Sequence, residues 1–358
     1  DRDNYRTVFF SRVDFSGSGS VILNGKPYTV INKASDLLNV KDNLDGNYVL
    51  GSDIGGLKDS ITGMDAFTGN FNGLGHRIRS SGVTATGLFG TIGANATLSN
   101  LGIVESWFPA AADPSVAVPA VGMLANVNHG TIINSFIGND GNYGSLENSN
   151  IIVVGGLVGK NSGLIAQCHN YSSYVHAKDI AGGLVGINEA SGRIIDSSAT
   201  RYSGQYNSCI RVSGQNPNGI TYVGGLVGKN YGHIERSFAS IPLSLTDSNS
   251  LSGAFAGLNA GTIDQCYAAA PWAPPHKAPH LAGFVWENTG TITNSYTTAL
   301  RNAEKWDAGF AYNNSGIIRH AYTTVYSGNT QNSVRYGFIY NNTGTIDDAY
   351  WQADTGSG

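Results

Sequence analysis

Gly155-Gly156-Leu157-Val158-Gly159-Lys160-Asn161-Ser162-Gly163 is the stretch on which the fold turns, because it recurs with drift to the far end of this 358-residue chain. Near copies run from Gly182 to Asn188 and from Gly224 to Gly232, and looser ones begin at Gly122, Gly253, Gly283, Gly309 and Gly337. The glycine that closes each copy (Gly130, Gly163, Gly192, Gly232, Gly261, Gly290, Gly316, Gly344) returns at intervals of 26 to 40 residues. Asn stands two residues before it in every copy but one, where a two-residue insertion displaces Asn188. Ile stands two residues after it in all of them, from Ile132 to Ile346. An aromatic follows six residues after it in most, including Phe136, Phe238, Tyr267, Tyr296, Tyr322 and Tyr350.

A fixed-period repeat dictates architecture before any single residue does. Each copy reads as a short strand, an Asn-x-Gly turn in which both residues tolerate positive φ, and a second short strand carrying Ile, Ser and the aromatic. A unit this small cannot bury its own apolar face. Stacking successive turns of chain does so, with Leu or Phe and Ile as continuous ladders. Identical Asn residues at every turn can form a side-chain ladder. The shorter repeats leave no room for a crossover helix. The expected fold is all-β: a parallel β-helix (solenoid), right-handed by the crossover rule, with loop insertions and one short N-terminal helix. The whole chain, 1–358, is expected to be one elongated domain, with irregular coils over 1–100 and regular repeats over 101–358.

The N-terminal third fits the same scheme loosely. Thr29-Val30-Ile31 reads as a strand, and Ser35 is placed to cap a short helix carrying Leu37, Leu38 and Val40. Tyr48-Val49-Leu50 and Asp53-Ile54 read as a strand pair, and 67–78 alternates as a strand does. Gly87-Leu88-Phe89-Gly90 and Leu98-Ser99-Asn100-Leu101 look like a degenerate repeat.

Composition narrows the function. There are 48 Gly, 41% hydrophobic and only 13% charged residues, enough apolar material for a long core. The net charge of −4 and the absence of a basic block argue against a nucleic-acid partner. No apolar run reaches the roughly 20 residues of a membrane helix, so membrane insertion is not expected. The chain starts at Asp1 with neither initiator Met nor signal peptide, and we expect a fragment of something longer. Of three cysteines, Cys168 and Cys266 take the repeat position that Ser135, Ser197, Ser237 and Ser295 take elsewhere. They read as small ladder residues, three repeats apart and too distant for a disulfide. Cys209 sits alone in an insertion.

Gly-Gly-Leu-Val-Gly-x-Asn-x-Gly-x-Ile resembles the repeat known as the GLUG motif. Leu44 to Leu50 and Phe67 to Ile78 resemble what precedes that motif in large bacterial surface proteins, and Ala349-Tyr350-Trp351 through Gly356 resembles where such arrays finish. Over roughly 28–355 the chain resembles the shafts of filamentous-haemagglutinin-like adhesins exported by two-partner secretion, within which it is most similar to the binding region of a high-molecular-weight adhesin. The resemblance implies a right-handed parallel β-helix, export through an outer-membrane secretion partner, display on the bacterial surface, and attachment to host cells, often through glycans. The chain departs from that pattern in one respect. The Asn-Pro-Asn-Gly element of the family's secretion domain occurs here as Asn216-Pro217-Asn218-Gly219, inside an insertion, where it reads as a turn. GLUG repeats also occur in surface proteases that cleave immunoglobulin A, but the His-Glu-x-x-His element of a metalloprotease is absent.

A regular shaft leaves function to its interruptions at 107–121, 138–152, 201–222, 241–251, 270–280, 301–307 and 325–335. The segment 270–280 holds four prolines, with Trp272 as a flat face and His276 and Lys277 as donors. Arg301, Lys305 and Trp306 follow one repeat later, and Arg335 one after that. Cations beside aromatics suit an anionic sugar such as sialic acid; a proline-rich loop plugged onto the shaft by Trp272 is the structural alternative. Within the repeats, the position held by Gly159, Gly186, Gly228 and Gly257 becomes Trp286, Tyr312 and Tyr340, a stripe that can bind glycan or simply fill space. Nearby, Leu157, Leu184 and Leu226 give way to Phe255, Phe284, Phe310 and Phe338, which suggests a change of cross-section.

Catalytic signals are weak. Asp347-Asp348 is the one internal Asp-Asp pair, with Asp264 aligned three turns away, and strand neighbours point to opposite faces unless the chain bends. Eight histidines show no metal-ligand spacing, and His169 replaces the ladder aromatic. Asn95-Ala96-Thr97, Asn170-Tyr171-Ser172, Asn313-Asn314-Ser315 and Asn341-Asn342-Thr343 match the N-glycosylation pattern. The sequence thus leads to a bacterial surface adhesin fragment that binds a host cell-surface glycan or glycoprotein, sialylated ones included, with no enzymatic activity, cofactor or metal. A purely structural shaft, and a polysaccharide lyase or hydrolase, are the alternatives.

Overall fold

The structure, a computed structural model, describes residues 12–17, 19–57, 64–81, 87–108, 118–138, 144–147, 151–171, 173–201, 210–212, 221–245, 250–270, 281–299, 308–324 and 337–352. It is a parallel β-solenoid. One coil runs through Ile151–Gly155, turns at Gly156, and continues as Val158–Asn161, Leu164–Ala166 and His169–Tyr171. Equivalent strands pair in parallel and in register from coil to coil, Val158 with Val185 and Ile165 with Ile194, for example. The strands collect into a nine-stranded, a six-stranded and a 26-stranded sheet. Ile132, Ile165, Ile194, Ile234, Ile263, Ile292 and Ile318 form one fully buried column of the core. Opposite it, Leu157, Leu184 and Leu226 pass into Phe255, Phe284, Phe310 and Phe338, whose rings stack at 4.7–4.8 Å.

The Asn-x-Gly turns form the expected ladder. Asn128 Nδ2 donates to Asn161 Oδ1 at 2.7 Å, and the pattern repeats through Asn188, Asn230, Asn259, Asn288 and Asn314 to Asn342, every step between 2.6 and 2.8 Å. Asn188 keeps its rung despite the insertion, because the extra residues bulge outward in a turn closed by Gly192 N donating to Glu189 O.

A second corner was not visible in the sequence. At one point after each turn a non-glycine residue is left-handed: Asn100, Asn134, Gln167, Asp196, Arg236, Gln265 and Asn294 between two strands, and His320 and Asp348 within the strands Ile317–Thr323 and Thr345–Trp351, with φ of 47–53°. Such a φ costs of order 1 kcal/mol per residue. The next residue offsets it. Ser197 Oγ donates to Ile195 O across the bend at 2.8 Å and accepts Cys168 N from the preceding coil at 3.1 Å. Ser135, Ser237 and Ser295 bridge the same bend, and Cys168 and Cys266 do so with Sγ. From Ser135 to Ser295 the column holds Ser or Cys, side chains small enough for the bend and able both to donate and to accept, whereas Leu101, Ala321 and Ala349 follow the first and the last two bends. Both thiols are free and buried, and burial pushes each up to about 12. In a Cys209→Ser chain at pH 8, we therefore expect no labelling by a thiol reagent until denaturant is added; labelling at the rate of a free thiol would refute the buried bridge.

The N-terminal region differs from expectation in two details. The helix Ala34–Leu38 has Lys33 at its N-cap, with Ser35 already inside the first turn; Asp36 Oδ2 instead accepts Asn32 N at 3.3 Å. Tyr48–Leu50 and Ile54 do not pair with each other but with neighbouring coils, Tyr48 with Thr29 and Phe71 in sequence order of coils by way of their strands, and Ile54 with Ile78. The only antiparallel pair among the described residues is the hairpin Ser20–Leu23 with Lys26–Ile31, whose Asn24-Gly25 turn has φ of 50° and 76°.

Candidate functional site

Space holds glycine at the repeat position in the earlier coils. A Cβ on Gly159 would lie 2.7 Å from Val121 N, and one on Gly257 2.9 Å from Val223 N, both in the six-stranded sheet folded against this face. Among the described residues that sheet continues through Ser250–Gly253 and Leu281–Ala282, with a bridge from Ala282 to Ala308. In the last three coils the glycine position is taken by Trp286, Tyr312 and Tyr340. Their rings stack at 3.8 and 4.4 Å, and exposure rises along the column from 4% at Trp286 to 43% at Tyr340. Rings stacked face to face present their edges to solvent along this stripe. The other expected ligand-binding residues, Trp272, His276, Lys277, Arg301, Lys305, Trp306 and Arg335, lie outside the described residues, as does the Asn216–Gly219 turn.

The left-handed corner builds a different surface. Because the chain bends there, the residue before the bend and the bend residue both face out, and the ladder aromatic lies beside them. Phe238, Tyr267, Tyr296 and Tyr322 stack at 4.8–5.1 Å within 7° of parallel. Tyr322 is 43% and Tyr350 65% exposed. Partial burial, and then Tyr322, raise the Tyr296 pKa, so its hydroxyl stays protonated. Alongside, Arg236 forks onto Asp196, with Nε to Oδ1 at 2.7 Å. Asp264 Oδ1 accepts Thr293 Oγ1 at 2.5 Å and Asn294 Nδ2 at 2.8 Å. Burial opposes its ionisation, but these two bonds and the Gln265 N–H prevail and the pKa falls. Arg319 faces Asp347 at 3.8 Å, and His320 faces Asp348 at 3.7 Å. Tyr350 hydrogen-bonds Asp348, which raises the tyrosine pKa.

Asp348 therefore corrects one step of the sequence argument. Its φ of 52° supplies the bend, and both carboxylates of Asp347-Asp348 face solvent on the same corner. Asp264 is in the same column as Asp347, three coils away through Thr293 and Arg319.

Other polar groups are held in structural roles. Lys229 sits 4.2 Å over the Tyr222 ring, and burial lowers its pKa against the pull of Glu287 and Asp179. The Tyr222 hydroxyl bonds Glu287 Oε2 at 3.1 Å, and burial followed by Glu287 pushes it up to about 12. His76 is buried with Nε2 2.8 Å from Val13 O and Nδ1 3.4 Å from Asp53 Oδ1. His169 takes an aromatic's place, bonds Ser198 Oγ through Nδ1 at 2.9 Å, and is pushed down by burial. His129 Nδ1 lies 2.6 Å from Ser162 Oγ on the exposed Asn turn, without a carboxylate bonded to the ring among the described residues. No group of three or more His, Cys, Asp or Glu that could hold a metal occurs among the described residues, and no described helix is long and apolar enough to cross a membrane.

No protein-family profile and no curated protein matches the sequence. Solved structures do share the fold. One is a crystal structure of a provisionally named immunoglobulin A1 protease from Bacteroides ovatus, with a TM-score of 0.50 and 18% identity over 91% of this chain and 85% of that one. Another, named IgA1 protease, has a TM-score of 0.52 and 16% identity over 85% of this chain, which spans 24% of that protein's length. The expectation of a chain without enzymatic association is thereby corrected: both similar structures carry the name of a protease. The identities are those of a shared fold. The absence of His-Glu-x-x-His addresses only one class of protease. The chain is a β-solenoid of the architecture found in these two protease-named proteins.

Proposed function

We propose that this chain is the solenoid of a bacterial surface protein, of the kind named for cleaving immunoglobulin A1, and that the solenoid captures a host glycan or glycoprotein for attachment or for cleavage. The observation that carries this reading is the corner over 236–350, where tyrosine edges and hydrogen-bonding side chains stand in register on one side of a rigid rod. Tyr and Arg are the residues that most often anchor recognition. Preordered on stacked strands, they lose little entropy on binding. The names of the two similar structures suggest a host immunoglobulin as one partner, and the resemblance of the repeats to adhesin shafts supports display at the cell surface.

The test is an array of host glycans together with immunoglobulin A1, probed with the chain and with a Tyr322→Ala/Tyr350→Ala variant. We expect binding to at least one member and a loss of about tenfold or more in the variant. Immunoglobulin fragments appearing in the same samples would add cleavage to capture. A blank array together with blank host-cell binding would end this reading.

A further inference from the structure

We propose, going beyond the reading above, that the corner also takes an uncharged, linear polysaccharide lying parallel to the solenoid axis, one coil after another. Three features lead there. First, the ring faces of Tyr267, Tyr296 and Tyr322 are covered by one another at 4.9–5.1 Å. What Tyr296 and Tyr322 offer a ligand is a pair of ring edges ending in phenolic hydroxyls, a group able to donate and accept. Such a row suits the hydroxyl-rich flank of a sugar chain.

Second, the row is periodic. Tyr267, Tyr296, Tyr322 and Tyr350 return in register at the strand spacing of about 4.8 Å, so a polymer extended along the axis meets a tyrosine at each of the last four coils. A single terminal sugar would use one coil and leave the rest idle. Affinity then accumulates through linked contacts on one ligand.

Third, the charges are already engaged. Arg236 is forked onto Asp196, while Arg319 faces Asp347 and His320 faces Asp348. Asp264 adds a carboxylate that is bonded to Thr293 and Asn294 and lies within the electrostatic reach of His233 and Arg236. A polyanion would find every corner arginine beside a carboxylate and would be repelled by the remainder. Neutral hydroxyls find donors and acceptors without that penalty.

The experiment is titration calorimetry of the chain with size series, from disaccharide to octasaccharide, of neutral linear oligomers (β- and α-linked glucans, mannan, chitin) and of acidic oligogalacturonides and hyaluronan. We expect one neutral series to gain at least about tenfold in affinity from disaccharide to hexasaccharide and then level off. We expect Tyr296→Phe, which keeps the stack and removes one hydroxyl, to weaken the longer members about three- to tenfold with unchanged thermal unfolding. Binding that does not depend on length, a preference for the acidic series, or full affinity in Tyr296→Phe overturns this inference while leaving glycan capture standing. No binding to any oligomer, combined with a blank glycan and glycoprotein array, removes both.

Discussion

Phe284→Ala is expected to destabilise the solenoid by about 3–5 kcal/mol, the range for deleting a fully buried aromatic from a core that cannot collapse around the gap. Phe284 is completely buried between Phe255 at 4.7 Å and Phe310 at 4.8 Å. Its loss removes two stacked contacts together with the ring's burial, each contact worth roughly 0.5–1.5 kcal/mol beyond area. Phe284→Leu is the informative control, because the column itself uses Leu at 157, 184 and 226. It should cost about half as much or less, since most of the volume is retained. Urea unfolding followed by circular dichroism measures both. Equal costs for Ala and Leu would mean that the stack, and not the filled volume, holds this part of the core. Because coils touch only their neighbours, hydrogen exchange should accelerate first over 255–314.

Asn230→Ala is expected to cost about 2–4 kcal/mol. Asn230 Oδ1 accepts Asn188 Nδ2, and its own Nδ2 donates to Asn259 Oδ1, both at 2.8 Å and all three residues fully buried. Removing the amide orphans a donor on one side and an acceptor on the other, each at about 1–3 kcal/mol, although Asn188 retains Gly192 O. Asn230→Asp should be worse than its size suggests near neutral pH. It keeps the acceptor, loses the donor to Asn259, and buries a charge with no cation bonded to it. Its deficit should shrink as pH falls and the carboxyl protonates, because a buried carboxyl facing another acceptor is easier to keep neutral. An Asp variant as stable as wild type at pH 7 would show that the ladder is not a chain of obligatory amide bonds.

The parallel solenoid was legible in the sequence because stacking forces like residues into columns, and a column appears in a sequence as a repeat. Asn128 to Asn342, Ile132 to Ile318 and the aromatics from Phe238 to Tyr350 could all be placed from spacing alone. The candidate corner could not. It depends on a left-handed turn by residues as unlike as Gln167, Arg236 and His320, none of which announces positive φ as glycine would. The indirect sign was the Ser and Cys column one residue later, which reads as a small-residue ladder until the bend it bridges is seen. That missing bend is also why Asp347 and Asp348 seemed bound to diverge.

What the sequence determined by itself, then, was the repeating unit: turn, core ladder and stacking direction, all of them properties of residues a coil apart in the chain. What only the tertiary structure decided was which outward groups meet. Trp286, Tyr312 and Tyr340 stack into one column, and Arg319 comes to face Asp347, because coils stack in register. Contacts between coils depend on backbone φ and on the approach of a second sheet, and both are set by packing across the rod and leave no periodic trace in the order of residues.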